Sequence, residues 1–293
     1  MNFQSTFQQL EQPSQTFLSC YAYIGSAGNN YTSHCHSYYE ISFIFKGTRY
    51  ETLNRDKYKV GDNSLIFISP LSVHSLANIT EVENLVIQFD HLFIRNSSML
   101  FGNNYVLKPS ENQQSMTIHA SDCLYHTLVT IRDCCKKRDA LINDDESSLQ
   151  DRLAIDMKIS SLCLDVIFYL LDEGKIYVDL KCVAYSNILS INSLISEVIA
   201  HPEKTINMQE ASRIASMSYS HFGRFFEKIT GFKYKYFCNY FRVRHAEELL
   251  LTTDKSVSEI AEAIGINTVP YFTRLFKQIN GNTPRDYRRK YRA

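Results

Sequence analysis

A stretch of 24 residues, Met208–Gly231 (MQEASRIASMSYSHFGRFFEKITG), returns 50 positions later as Ser258–Gly281 (SEIAEAIGINTVPYFTRLFKQING). Seven positions are identical at that offset: Ala211/Ala261, Ile214/Ile264, Phe222/Phe272, Arg224/Arg274, Phe226/Phe276, Ile229/Ile279 and Gly231/Gly281. Self-similarity at a fixed period means one supersecondary unit used twice. In the second half of each copy the shared apolar residues recur at helical spacing, and the shared glycine falls where a helix should end. Each copy reads as two helices with a turn between them, a helix-turn-helix.

In the second copy, Ser256 or Ser258 caps a helix through Ala263, Gly265 supplies the turn, and Pro270 opens the next helix, where its missing N–H costs nothing. That helix buries Phe272, Leu275, Phe276 and Ile279 and presents Thr268, Val269, Thr273, Arg274 and Lys277. In the first copy Ser218 is the cap; Phe222, Phe225, Phe226 and Ile229 face inward, and Ser220, His221, Gly223, Arg224 and Lys228 face outward. Such a helix fits the major groove with its N-terminal half toward the base edges. Arg224 and Arg274 lie one turn into each helix, where a guanidinium can grip guanine O6 and N7 or a phosphate. The bland alternative is two solvated arginines; the recurrence in both copies favours DNA contact. The expected DNA-facing set is Ser220, His221, Arg224, Lys228, Thr268, Thr273, Arg274 and Lys277, with His221 also suited to packing. The basic tail Arg285, Arg288, Arg289, Lys290 and Arg292 reads as a solvated or phosphate-facing end.

Charge points the same way. The 293-residue chain is formally neutral, but from Asn187 to Ala293 it carries 16 Lys and Arg against 10 Asp and Glu, hence +6 there and −6 before it. A basic C-terminal part suits a polyanion. The length suits two domains, and 44% hydrophobic with 21% charged residues excludes disorder. No run approaches 18 apolar residues, so no membrane span is expected, and MNFQSTFQQLEQPSQTF lacks the basic and apolar regions of a secretory signal. The expected compartment is the cytoplasm. Eight cysteines without a CxxC pair read as small buried hydrophobes, with Cys134–Cys135 a weaker candidate redox sensor.

Residues from about 20 to 108 read as short strands: Tyr38–Phe45, Thr48–Leu53, Lys57–Val60, Ser64–Ile68 and Leu85–Phe89, separated by turns at Asn54-Arg55-Asp56 and Gly61-Asp62-Asn63. This spacing predicts a sandwich or barrel. After Ile118 the period becomes helical. Leu124, Leu128 and Ile131 mark one helix ending in the charged run Cys135–Asp139. Leu149, Leu153, Met157, Ser160, Cys163, Ile167 and Leu170 mark a second, ending at Gly174. These stripes either cover the β domain or make an antiparallel dimer contact. Residues about 174–187 read as a linker. The expected fold class is α+β multidomain: a sensor domain over 1–118, a helical dimerisation or linker region over 119–175, and an all-α DNA-binding domain over 187–293.

The C-terminal motifs resemble the DNA-binding domain of the AraC/XylS family of bacterial regulators. The resemblance lies in Ser218-x3-Phe222-x-Arg224-x-Phe226-x4-Gly231, Arg242-x5-Glu248-Leu249-Leu250, Val257-Ser258-Glu259-Ile260-Ala261 and Gly265-x5-Tyr271-Phe272-x-Arg274-x-Phe276-Lys277-x3-Gly281-x-Thr283-Pro284-x2-Tyr287-Arg288. It implies two helix-turn-helix modules joined by a long helix, here about Tyr236 to Leu251. Ile266 departs from the usual Phe, and Gly223, Val269 and Pro270 stand where family members carry polar residues.

The segment Gly28-x5-His34-x-His36-x3-Glu40-x6-Gly47, followed by Gly61-Asp62 and Pro70-x3-His74, resembles the motifs of cupin β-barrels. Family members commonly carry such a domain to bind a small effector. His34, His36, Glu40 and His74 suit either a divalent Fe, Mn or Zn ion or the polar lining of an effector pocket; the lining is the favoured reading, and no cofactor is expected. Tyr38 and Arg49 join the pocket candidates, with Tyr21, Tyr23, Phe43 and Phe45 at its mouth. The expected protein is a transcription regulator, not an enzyme, that binds double-stranded promoter DNA as a homodimer under control of a small molecule, with RNA polymerase a further partner. An activator is the expected type. The rival is a metal-dependent cupin enzyme fused to a DNA-binding module; a third reading is a regulator without effector, controlled by a partner protein through the helices of residues 120–173.

Overall fold

The computed structural model describes residues 20–25, 31–53, 56–97, 105–110, 117–142, 148–179, 185–204 and 206–292. The segment before Cys20, Gly28, the turn residues Asn54 and Arg55, and Cys182 lie outside the described residues. The chain divides into two units between Ile188 and Leu189.

Two antiparallel sheets build the first unit. One runs in the order β1 (Cys20–Ile24), β8 (Glu83–Phe89), β3 (Tyr39–Lys46), β6 (Ser64–Ile68), β10 (Thr117–His119), with the short helix α1 (His91–Ser97) following β8. The other runs β2 (Tyr31–His34), β7 (His74–Asn78), β4 (Arg49–Leu53), β5 (Asp56–Val60). Strand β3 is central and buried on both faces, which its unbroken run of aromatic and β-branched residues requires. Because side chains alternate, Glu40, Ser42 and Ile44 share one face. Ile44 packs there with Leu53, Val60, Ile66, Ile68 and Val82. On the opposite face Tyr39 stacks on Phe89, and Phe43 and Phe45 meet Tyr125 of α2 (Asp122–Ile142). Phe43 and Phe45 are therefore not at a pocket mouth: their period places them under a helix.

Helix α2 buries Leu124, Leu128, Ile131 and Cys135, and the Cys135 thiol donates to the Ala22 carbonyl at 3.4 Å. It does not stop in its charged run. Lys136, Lys137 and Asp139 face solvent, while Arg138 is 5% exposed with its guanidinium 4.7 Å from the Tyr21 ring. Helix α3 (Leu149–Asp172) packs on α2 and ends at Gly174, whose φ of 61° lets the N–H groups of Gly174 and Lys175 cap the Leu171 and Leu170 carbonyls. Its stripe divides: Cys163, Ile167 and Leu170 are buried, but Leu149, Leu153 and Met157 are exposed. The expected linker is also partly structured. Ile176–Asp179 forms β11, paired antiparallel with β9 (Val106–Pro109), and Lys108 binds Asp179 at 2.8 Å. Four residues just after a glycine carried too short a period to show as a strand.

The second unit is helical: the rest of α4 (Tyr185–Ala200), α5 (Met208–Ile214), α6 (Tyr219–Thr230), α7 (Tyr234–Thr252), α8 (Val257–Ala263), α9 (Val269–Asn280) and α10 (Pro284–Tyr291). Caps set the boundaries. Asn207, Ser218, Ser256 and Thr283 each accept backbone N–H bonds, Ser256 with Glu259 forming a capping box, and Gly231 and Gly281 close α6 and α9 at φ 75°.

The repeat is not uniform in register. The N–H groups of Ala215, Ser216 and Met217 bond to Ala211, Arg213 and Ser212; those of Ile264, Gly265 and Ile266 bond to Ile260, Glu262 and Ala261. The first helices thus correspond at an offset of 49, and only the second helices at 50. The left-handed turn residue is Ser216 (φ 54°) in one copy and Gly265 (φ 71°) in the other, and the second turn is one residue longer. The identities Ala211/Ala261 and Ile214/Ile264 are consequently coincidental.

Candidate nucleic-acid interface and barrel histidine cluster

Helices α6 and α9 are the second helices of the two units. Each buries an aromatic stripe, Phe222, Phe225 and Phe226 in α6 and Phe272, Leu275 and Phe276 in α9. Burial of those faces fixes which side chains remain outside. Ser220, His221, Arg224, Lys228, Thr268, Arg274 and Lys277 are exposed; Thr273 is half-buried. Thr268 occupies the N-cap position of α9 without a side-chain cap bond, so its hydroxyl is not committed to the helix. His221 is exposed and stacks on Phe225, with ring centroids 5.9 Å apart. Tyr219, 55% exposed in the first turn of α6, joins this surface. Sequence reasoning passed over it because it matches Val269 rather than a polar residue.

Among the described residues no carboxylate meets Arg224 or Arg274. Other arginines of the same unit are engaged internally. Arg242 donates to the Pro202 and Lys204 carbonyls, Arg244 pairs with Glu247, Arg288 donates to the Leu250 and Lys255 carbonyls, Arg289 pairs with Asp286, and Arg292 with Asp254. The tail therefore departs from expectation: much of its positive charge is tied to its own unit, and Arg285 is its exposed arginine with no described partner. An unpaired guanidinium on a recognition-type helix retains its full donor set for a base edge or phosphate.

In the first unit the structure brings His34, His36 and His74 together, their nearest ring nitrogens all within 4.8 Å of one another. Strands β2 and β7 pair across His34 and His74. Glu40 lies 3.4 Å from His36 Nε2 and accepts from Gln88 at 3.0 Å. Backbone carbonyls fix two tautomers. His36 Nδ1 is 2.9 Å from the Tyr38 carbonyl and His74 Nδ1 is 3.0 Å from the Ser72 carbonyl, so each Nδ1 carries the hydrogen. The Nε2 atoms of both are buried and meet no hydrogen-bond donor among the described residues. Burial, then the neighbouring His34 and His36, holds His74 well below the usual histidine range, so it is neutral and presents a lone pair. Burial pushes the Glu40 carboxyl up, but the His36 imidazole beside it and the Gln88 amide that donates to it outweigh burial and hold it below the usual carboxylate range.

Tyr38 stacks flat on His36 with centroids 3.9 Å apart. Arg49 is not a free ligand-binding group. It is 1% exposed, donates to Ser42 Oγ at 2.7 Å and pairs with Glu51. Glu51 went unnoticed in the sequence, although its place two residues beyond Arg49 puts both on one strand face. Burial pushes its carboxyl up to about 7 against the pull of Arg49. Among the described residues, the enclosed space lined by Glu51, Leu53, Tyr58, Val60, Ile66, Ile68 and His74 is a void of about 10 Å³, room for a single water.

A tandem of helix-turn-helix units on one chain with a β domain of buried polar interior defines a DNA-binding transcription regulator that carries its own ligand-binding domain. Residues 17–156 match the AraC-like ligand binding domain family, and residues 211–290 match a helix-turn-helix domain family. The chain belongs to the AraC/XylS family of transcription regulators. It is 24% identical over 299 positions to the HTH-type transcriptional regulator YfiF of Bacillus subtilis (strain 168), spanning 97% of this chain and 88% of that one. A Staphylococcus aureus HTH-type transcriptional regulator is 30% identical over 98 residues, which cover 33% of this chain and only 13% of that protein's length. ToxT of Vibrio cholerae O395 aligns with 92% of this chain and 97% of its own at 14% identity and a TM-score of 0.46. No helix of the described residues is long and apolar enough to cross a membrane.

Proposed function

We propose that the chain reads promoter DNA with α6 and α9 in successive major grooves, and that a ligand of the first unit controls it. Arg224 and Arg274 contact base edges or phosphates, with Ser220, His221, Lys228, Thr268, Thr273 and Lys277 beside them. One observation carries this reading: the two arginines sit at the same turn of two repeated helices, and neither meets a carboxylate among the described residues. The protein acts as a cytoplasmic regulator rather than an enzyme, pairs as a homodimer through the exposed Leu149, Leu153 and Met157 of α3, and meets RNA polymerase at the promoter. Selection of bound duplexes from random DNA tests the base contacts. Arg224→Ala and Arg274→Ala should each lose preference at a different base, by about tenfold. Base preference unchanged in both variants would sink the assignment.

The His74 Nε2 lone pair favours a second reading, in which the controlling ligand includes a divalent first-row metal ion. His34, His36 and His74 would hold it, with Glu40 beside them; the backbone carbonyls behind His36 and His74 orient ligands in this manner. Bound there, the ion would supply a Lewis-acid centre for an oxygen-bearing effector. The space beside His74 is about 10 Å³, too small for an organic molecule, whereas an ion there would meet the His36 and His74 lone pairs. Titration of cobalt(II) into the chelator-treated full chain should give ligand-field absorption at one equivalent, abolished in His36→Ala/His74→Ala. Absence of saturable binding rejects this reading and leaves the first intact.

A further inference from the structure

We infer that Tyr271 positions Arg274 for its contact with DNA, and that Asn239 of the joining helix α7 holds Tyr271 in place. The inference rests on Arg274 being a base contact, as proposed above.

An exposed arginine has about 2 kcal/mol of rotamer entropy to lose before it can make a directed contact. Whatever narrows its choices beforehand sharpens the contact. Tyr271 lies one turn before Arg274 on α9, and the Arg274 guanidinium carbon sits 5.7 Å from the centre of its ring. That is within cation–π reach. Tyr271 is itself fixed. It is half-buried against the core of the second helix-turn-helix, and its hydroxyl accepts a hydrogen bond from Asn239 Nδ2 at 3.2 Å. Asn239 is 9% exposed, so its amide would lose a partner in a dry place if the tyrosine swung out.

The first copy serves as an internal control. His221 stands where Tyr271 stands, but its ring stacks on Phe225, and no described partner lies against Arg224. The two arginines are equivalent in sequence and unequal in surroundings: Arg274 is presented on an aromatic shelf, Arg224 is not. Asn239 adds a further consequence. Helix α7 follows α6 and closes the first copy, so the shelf beneath the second recognition helix is braced by the element that joins the two copies.

The test uses the full chain and the best duplex selected by the wild type, together with duplexes changed at each base pair. Arg274→Ala marks the base pair that Arg274 reads. Tyr271→Leu should reduce discrimination at that same pair by about two- to fivefold, the size of an exposed cation–π contact, and should add nothing in the Arg274→Ala background. Tyr271→Phe, which keeps the ring, should restore most of the discrimination, and Asn239→Ala should lose part of it. Tyr271→His, the first copy's own residue, is the milder variant should Tyr271→Leu fail to fold, and it too should lose discrimination. A purely structural role would lower the thermal midpoint and weaken all duplexes alike. Retained discrimination in Tyr271→Leu and Tyr271→His, or losses additive with Arg274→Ala, overturns the inference while leaving Arg274 a base contact. If Arg274→Ala itself changes no base preference, the underlying assignment fails, and this inference with it.

Discussion

Arg288 Nη2 donates to the Lys255 carbonyl at 2.6 Å while its Nε donates to the Leu250 carbonyl at 3.0 Å. The two acceptors bracket the end of α7 and the entry to α8, where helix carbonyls lack partners of their own. The guanidinium thus clamps one helix end from another helix. Arg288→Ala should cost about 1.5–3 kcal/mol in urea denaturation, and it should leave the salt dependence of DNA binding unchanged. Arg285→Ala, at an exposed arginine of the same helix with no described partner, should do the reverse: little loss of stability and a salt slope reduced by about one contact. A matching drop in salt slope for Arg288→Ala would show that its side chain leaves the clamp to meet DNA.

Glu247 gives the second unit a pH dependence. Burial pushes its carboxyl up to about 7, against the pull of Arg244 at 2.8 Å. The folded state therefore keeps a proton that the unfolded chain releases near its ordinary value. Stability from this group is fully present below the unfolded value of 4.5 and is lost as pH rises toward about 7. The loss is at most about 3 kcal/mol, from the size of the shift. Urea midpoints at pH 5, 6, 7 and 8 should fall for the wild type and fall less steeply for Glu247→Gln, the remaining slope coming from Glu51. Parallel curves for the two proteins would assign the titration elsewhere.

The helix-turn-helix units were legible because short-range rules govern them. The caps Ser218 and Ser256, the closing glycines Gly231 and Gly281, and the aromatic stripes all act within one or two helical turns. The one-residue difference between the two turns was not legible, since Ala211 and Ala261 match by letter while their hydrogen bonds do not. In the β unit, the histidine spacing was visible but its meaning was not. What makes His74 a buried acceptor is the Ser72 carbonyl behind it and a pairing with His34 forty residues away in sequence. Arg49 showed the same limit: Ser42, which accepts from it, lies on β3 of the other sheet, and no spacing in the sequence brings the two together.

Helix α3 turns its C-terminal half inward and leaves Leu149, Leu153 and Met157 exposed at 83%, 57% and 65%. Steps of four residues place these three on one helix face, and a stripe this apolar in water favours association. Leu153→Glu/Met157→Glu should convert a dimer at micromolar concentration to a monomer in analytical ultracentrifugation. Both side chains are more than half exposed, so the midpoint measured on the monomeric form should stay within about 0.5 kcal/mol of the wild type. A wild type that sediments as a monomer at every concentration rejects this role for the stripe.

Gly223 sets two effects of similar size against each other. A Cβ at this position of α6 would lie 2.5 Å from the Met208 methyl carbon, so the thioether must move. Alanine in a helix interior gains about 1 kcal/mol over glycine, while displacing one packed methyl costs about 0.8 kcal/mol. Gly223→Ala should therefore change stability little in the wild-type background. With Met208→Ala the obstruction is gone, and the same substitution should stabilise by about 1 kcal/mol. Urea denaturation of the four proteins forms a double-mutant cycle, and the expected coupling is about 1 kcal/mol. Zero coupling would mean that Met208 swings aside at no cost and does not pack on Gly223 in solution.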